Sequence, residues 1–171
     1  DPKTGSCAIL FPHGILFRNE ETEMRKNLVD TDLVECVIGI GKNLFYNSPM
    51  EACIVICRAN KPANRRGKVL FINAKHEVTR RNAQSYLEQD HIDKIANTYF
   101  DFAEVDGFSA VADTKTIKEH QGKLSIALYV RSSDNNSDLP DFDDALEAWF
   151  TNSSSLHKEL DLLDQLREGR K

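Results

Sequence analysis

The stretch AILFPHGILFR (8–18) carries an apolar run that stops on Pro12, His13 and Gly14 and then turns apolar again. Proline ends a strand's hydrogen-bond ladder and glycine permits a tight turn, so the three residues set an imidazole at a strand end. An imidazole there can move a proton or ligate a metal, and each role needs a second residue. No Cys or Ser nucleophile stands near His13, and the five histidines form no HxxxH or HExxH pair. A polar residue in a turn is the plainer reading of His13.

Cys7, Cys36, Cys53 and Cys57 all fall inside apolar, strand-like runs, where a free thiol behaves as a small hydrophobe. Cys53 and Cys57 would share a strand face, but no third or fourth ligand lies near them, so no metal site is expected. Gly39-Ile40-Gly41 is a lone GxG at a strand end, without the spacing a dinucleotide loop needs. Gly-x-Ser-x-Gly is absent. The uneven feature is positive charge. Arg58, Lys61, Arg65, Arg66 and Lys68 cluster after one apolar run, and Lys75, Arg80 and Arg81 follow the next. Such a cluster suits contact with the phosphates of a nucleic acid, though charge runs are commonly only solvated.

These residues must be held by a single core of moderate size, given 171 residues of which 40% are hydrophobic. The net charge of -5 argues against a surface that grips nucleic acid everywhere and leaves room for a local basic face. No apolar run approaches the roughly 20 residues that span a bilayer, and a basic-then-apolar leader is missing. A soluble intracellular protein with no membrane partner is expected, in the cytoplasm. The chain opens Asp1-Pro2-Lys3, without Met, and enters an apolar run almost at once, as a trimmed natural domain or a cut piece of something longer would.

SCAILF (6–11) reads as a strand buried on both faces. Asn19 can cap a helix through 20–30, with Glu21 and Arg25 paired at i+4 and Met24 and Leu28 as its apolar stripe. LVECVIGI (33–40) is a second strand, and the three elements together suggest a parallel unit. ACIVICR (52–58) and KVLFINA (68–74) follow across short connections, so at least one pairing should be antiparallel. Asp90 can cap a helix carrying Ile92, Ile95, Ala96, Tyr99 and Phe102. KLSIALYV (123–130) alternates like an exposed strand, and 132–140 reads as a linker. Amphipathic helices should follow it, with Phe142, Leu146, Trp149 and Phe150 on one stripe and Leu156, Leu160 and Leu163 repeating beyond.

The ordered blocks GxCAILFPHGILFR, LVECVIGI, NLFY and ACIVICR resemble the carboxyl-terminal half of the catalytic domain of adenine-N6 DNA methyltransferases. The similarity is greatest to the modification subunit of type I restriction-modification systems and runs over about 5–130. It implies an α/β fold: the carboxyl-terminal part of a Rossmann-like, S-adenosylmethionine-dependent methyltransferase sheet, mixed, with an antiparallel strand, followed by helices. The implied divisions are 1–74 for the sheet, 75–131 for a family-type extension and 138–171 for the terminal helices.

The resemblance also assigns roles. Pro12, His13 and Gly14 become the rim of a target-base pocket, since ligands of open α/β sheets sit beyond the carboxyl ends of the strands. Phe45, with Tyr46 as alternative, matches the aromatic that stacks on an extruded adenine, because an enzyme acting on a base amine must take that base out of the duplex. Arg58, Lys61, Arg65, Arg66 and Lys68 become DNA-backbone contacts. The stripe from Phe142 to Leu163 becomes a docking surface for the specificity subunit. The implied partners are DNA and the specificity and restriction subunits of the same system.

The family's glycine-rich S-adenosylmethionine turn and its Asn/Asp-Pro-Pro-aromatic motif are both missing from this sequence. Asn47-Ser48-Pro49-Met50 lacks the second proline and the aromatic and follows the wrong strand. The cofactor is thus expected in the full-length protein and not in this chain, which should hold no catalytic residue. Self-association of the chain through an unpaired strand edge is expected as well. The alternative is a non-catalytic DNA-binding or protein-interaction module of similar fold.

Overall fold

The apolar runs form a mixed five-stranded sheet in the order β1-β3-β2-β4-β7: β1 (Ser6–Pro12), β2 (Val34–Ile40), β3 (Ala52–Arg58), β4 (Lys68–Ala74) and β7 (Ser109–Asp113). Two short strands, β5 (Thr79–Arg81) and β6 (Gln84–Tyr86), make a separate hairpin. The helices are α1 (Thr22–Asp30), α2 (Gln89–Asp101) and α3 (Thr114–Glu119). The computed structural model describes residues 1, 3–45, 48–82 and 84–131, so Tyr46 and the stripe from Phe142 to Leu163 lie outside the described residues.

β2 is the buried centre: all seven of its residues are buried, as a nearly continuous apolar run requires. It pairs antiparallel with β3 and parallel with β4, so the expected antiparallel pairing is present. The expected parallel unit is corrected. β1 and β2 do run the same way, but β3 lies between them and pairs antiparallel with both. The expectation that β1 is buried on both faces is corrected too: it is an edge strand with nearly every residue exposed, Ile9 and Leu10 included.

Side-chain alternation splits the core into two layers. Val37, Cys53, Val55 and Phe71 pack against Val29 of α1, Ile117 of α3 and the coil around Ile126. Cys36, Ile38, Leu70 and Ile72 face the other way, toward Ile95 and Tyr99 of α2. Gly39 belongs to the first layer, where a Cβ would stand 2.6 Å from Ile126 Cδ1. The segment 123–130 is not a strand. It is coil with a 3-10 turn at Ile126–Leu128 that lays Leu124, Ile126 and Val130 on the sheet.

α1 starts later than its sequence suggests, because Asn19–Glu21 forms a 3-10 turn without a side-chain cap. Val29 rather than Met24 is its buried residue, joined by Arg25. Arg25 turns inward instead of pairing with Glu21: its guanidinium donates to the carbonyls of Ile15 at 2.9 Å and Arg18 at 2.7 Å. α2 is capped by Glu88, not Asp90, in a reciprocal arrangement with His91. The expected division at 74 is crossed by the β4–β7 pairing, which places 109–113 in the same sheet as 68–74.

Candidate functional site

β1, β2 and β4 run in one direction and release the chain at one end of the sheet, through Pro12-His13-Gly14, Gly41-Lys42 and Lys75. β3 enters at that end, led in by Glu51. At Gly41 a Cβ would come within 2.6 Å of the Lys75 carbonyl oxygen, so glycine lets the exits of β2 and β4 touch.

Glu51 joins these exits. Its carbonyl accepts the His13 N–H at 3.2 Å, one carboxylate oxygen lies 2.8 Å from Lys75 Nζ, and the other lies 3.7 Å from Lys42 Nζ. The hydrogen bond from Lys75 holds the Glu51 carboxyl below its ordinary range against the opposing effect of partial burial. Burial first, and then the Lys75 charge, hold the His13 imidazole below its ordinary value, with Glu51 acting the other way. His13 Nδ1 is buried without a hydrogen-bond partner. Behind it, Arg25 secures the carbonyls of the turn that follows Pro12.

The loop from Gly41 to Glu51 carries Phe45. Leu44 packs into the α2-side layer, whereas Phe45 is 36% exposed. The two neighbours have divided burial and exposure between them. Phe45 bridges Ser48, whose N–H donates to the Phe45 carbonyl at 3.1 Å. Asn43, at φ 60°, turns its carbonyl to the Ser85 N–H at 2.9 Å and so fastens the loop to the β5–β6 hairpin. That hairpin brings Arg80 and Arg81 to the same end; Arg81 pairs with Glu88 at 2.5 Å and lies over the Tyr86 ring.

The cluster Arg58, Lys61, Arg65, Arg66 and Lys68 lies at the opposite end of the sheet, beside the start of β2. Seven-residue strands separate the two ends by about 20 Å. Three of the five, Arg58, Lys61 and Arg65, are engaged by acids of the chain itself. Arg58 Nε donates to both Glu35 oxygens, at 3.0 and 2.9 Å, and Arg65 Nη1 reaches the same carboxylate at 3.3 Å. Lys61 is 3% exposed and bonds Asp32 at 2.6 Å and the Lys68 carbonyl at 2.8 Å. Arg66 donates to the Lys61 carbonyl and to Asn60 and is exposed, as is Lys68. Arg58 and Arg65 are the counter-charge of a buried carboxylate, and Lys61 frames the loop.

Pro12, His13, Gly14 and Phe45 are therefore gathered at one end, and the basic loop is not with them. Of the residues that connect the gathered ones, Lys75 stood in the sequence only as one of a basic run, and Glu51 and Lys42 were not singled out. An acid just before an apolar strand and a lysine just after another were the available signals. Among the described residues no group of three His, Cys, Asp or Glu could hold a metal ion, and no helix is long and apolar enough to cross a membrane. Neither Gly39 nor Gly41 opens the glycine turn that would cradle S-adenosylmethionine. The space beside Gly39 is taken by Ile126 and that beside Gly41 by the Lys75 backbone, and His13 leaves β1 in a 3-10 turn.

The mixed sheet, with an antiparallel strand set between two parallel ones and helices on both faces, defines an α/β domain of Rossmann-like methyltransferase type. The chain belongs to the N-6 DNA Methylase family, whose model matches residues 2–138. It is 38% identical over 137 residues to the type I restriction enzyme MjaVIII methylase subunit of Methanocaldococcus jannaschii, covering 78% of this chain and 24% of that protein. It is 30% identical over 164 residues to the type I restriction enzyme HindI methylase subunit of Haemophilus influenzae, covering 91% and 36%. The crystal structure of a type I restriction-modification methyltransferase subunit from Streptococcus thermophilus superimposes with a TM-score of 0.69 at 35% identity, over 74% of this chain and 26% of that one. The EcoKI M protein, at 12% identity and a TM-score of 0.58, shares the fold. The chain spans about a quarter of the length of the Methanocaldococcus relative.

Proposed function

We propose that this chain acts within a longer adenine-N6 DNA methyltransferase subunit of a type I restriction-modification system, where it forms the wall that receives the target base. The observation that carries this reading is the exposed Phe45, set at the carboxyl end of the parallel strands in a domain of this family. A base drawn from the duplex loses its stacking, and a flat aromatic face restores part of it without demanding a particular hydrogen-bond pattern. Phe45 supplies that face, Pro12, His13 and Gly14 at the same end of the sheet are its rim, and the exposed Arg80 lies at that end for a backbone phosphate.

S-adenosylmethionine supplies the methyl group in the full-length enzyme, held by residues outside this chain. DNA is the substrate, and the specificity and restriction subunits of the same system are the partners, the first docking on the stripe from Phe142 to Leu163. The enzyme works in the cytoplasm, where its DNA lies. The test is transfer of a labelled methyl group to adenine in duplex DNA by the full-length subunit with its specificity subunit. The 171-residue chain alone should neither methylate nor bind S-adenosylmethionine. Stoichiometric micromolar binding to this chain in calorimetry would overturn the division of labour, and an assembled enzyme that leaves adenine unmodified would overturn the activity.

A further inference from the structure

Phe45 sits on a loop whose two ends leave and re-enter the sheet at neighbouring strands, and an aromatic that must meet a base needs those ends fixed. Both ends touch Lys75. Gly41 lies on the Lys75 carbonyl at one end, and Glu51 holds the Lys75 ammonium at the other. Glu51 also receives the His13 N–H from β1 and faces Lys42 within the loop itself.

We propose that Glu51 is the positioning residue of the Phe45 loop, drawing the exits of β1, β2 and β4 onto the point where the chain turns back into β3. This rests on the reading of Phe45 as the base-stacking residue only for its consequence in catalysis; the clamp itself is a property of the chain. An isolated surface ion pair contributes little. Here one carboxylate engages two ammonium groups, so its loss releases both contacts together, while the backbone carbonyl keeps its hydrogen bond from His13.

The clamp is tested on the 171-residue chain by NMR, with Glu51→Gln and Lys75→Met. The charged groups around His13 are Lys75 and Glu51, with Lys42 behind Glu51 and Arg18 on its own turn, where Arg18 pairs with Glu21. If Glu51 and Lys75 act as opposed charges at this point, Glu51→Gln lowers the His13 titration midpoint, because the Lys75 charge is then unopposed, and Lys75→Met raises it. In both variants exchange of the Ser48 amide, which closes the Phe45 turn, should quicken by about tenfold. Shifts of His13 in the same direction, or unchanged Ser48 exchange in both variants, would overturn the proposal.

In the full-length enzyme the methylation losses of Glu51→Gln and Phe45→Ala should be non-additive, since both act through one loop. A silent Phe45→Ala beside accelerated Ser48 exchange in Glu51→Gln would remove the stacking reading and leave the clamp standing. Strictly additive losses would overturn the clamp's role in catalysis.

Discussion

Glu35 and Tyr99 are separated by 64 residues in the chain, and the Tyr99 hydroxyl donates to Glu35 Oε2 at 2.7 Å. The carboxylate is fully buried in the central strand, and Arg58 and Arg65 complete its surroundings. Burial pushes the Glu35 carboxyl up, but the hydrogen bonds from Tyr99 and Arg58 and the charges of Arg58 and Arg65 together hold it below its ordinary value. A carboxyl depressed on folding contributes stability that is present above its unfolded value and lost as pH falls through its folded one. Glu35→Gln should therefore cost about 3–5 kcal/mol at neutral pH, by leaving two guanidinium groups without their carboxylate, and should flatten the fall in stability on acidification. Urea midpoints at neutral pH and near pH 3 measure both effects. An equal acid slope in the variant would contradict the assignment.

Phe45→Ala in the full-length enzyme should reduce methylation by the worth of one base–aromatic stack, about 1–3 kcal/mol, with S-adenosylmethionine binding nearly unchanged. Turnover on duplex DNA and calorimetric cofactor binding separate the two quantities. Normal turnover would return Phe45 to a packing role.

The sheet's two edges differ. On β7 the outward N–H of Val111 is taken by Glu104 at 3.0 Å and that of Ser109 by the Val105 carbonyl at 2.8 Å. On β1 the odd-numbered residues face β3, as the His13–Glu51 and Ala59–Gly5 hydrogen bonds show, so Ser6, Ala8 and Leu10 point their N–H groups outward beside exposed apolar side chains. Such an edge recruits strands. The isolated chain should self-associate with rising concentration, and Leu10→Lys should weaken that association. Sedimentation showing a monomer throughout would count against an available edge.

Deleting residues 153–171 should leave the melting temperature nearly unchanged and abolish co-purification with the specificity subunit. Unfolding of the shortened protein, or its normal assembly, would refute docking through the stripe that includes Leu156, Leu160 and Leu163.

β2, β3 and β4 were legible because a strand buried on both faces leaves an unbroken apolar run. β1 leaves the same run at an edge, because apolar composition records what a strand can pack against and not whether that neighbour is present in the chain. The placing of β3 between β1 and β2 was illegible for a related reason: strand order is set by pairings between distant segments, and chain spacing reports only near ones. Residues 123–130 alternate because they lie on a sheet face, burying every second residue or so without pairing to anything.

Position was legible where a local signal existed, as in Pro12-His13-Gly14, which do end β1. It was misread where charge needed a distant partner. Arg58 and Arg65 looked like a basic face, yet Glu35, an acid inside LVECVIGI, was the sign that buried charge would be answered from elsewhere in the chain.

The insertion of β3 also orders events in time. Pro12 can find its register with Ala52, and Ser6 with Arg58, only after the whole of α1, β2 and the Phe45 loop have been made. During synthesis β1 and then β2 emerge before β3, the strand that must pair with both, so closure of this half of the sheet is a high-contact-order step. The turn after β1 assembles with it: the His13–Glu51 hydrogen bond continues the same ladder past Pro12, and seating β1 and fixing Pro12-His13-Gly14 are one folding event.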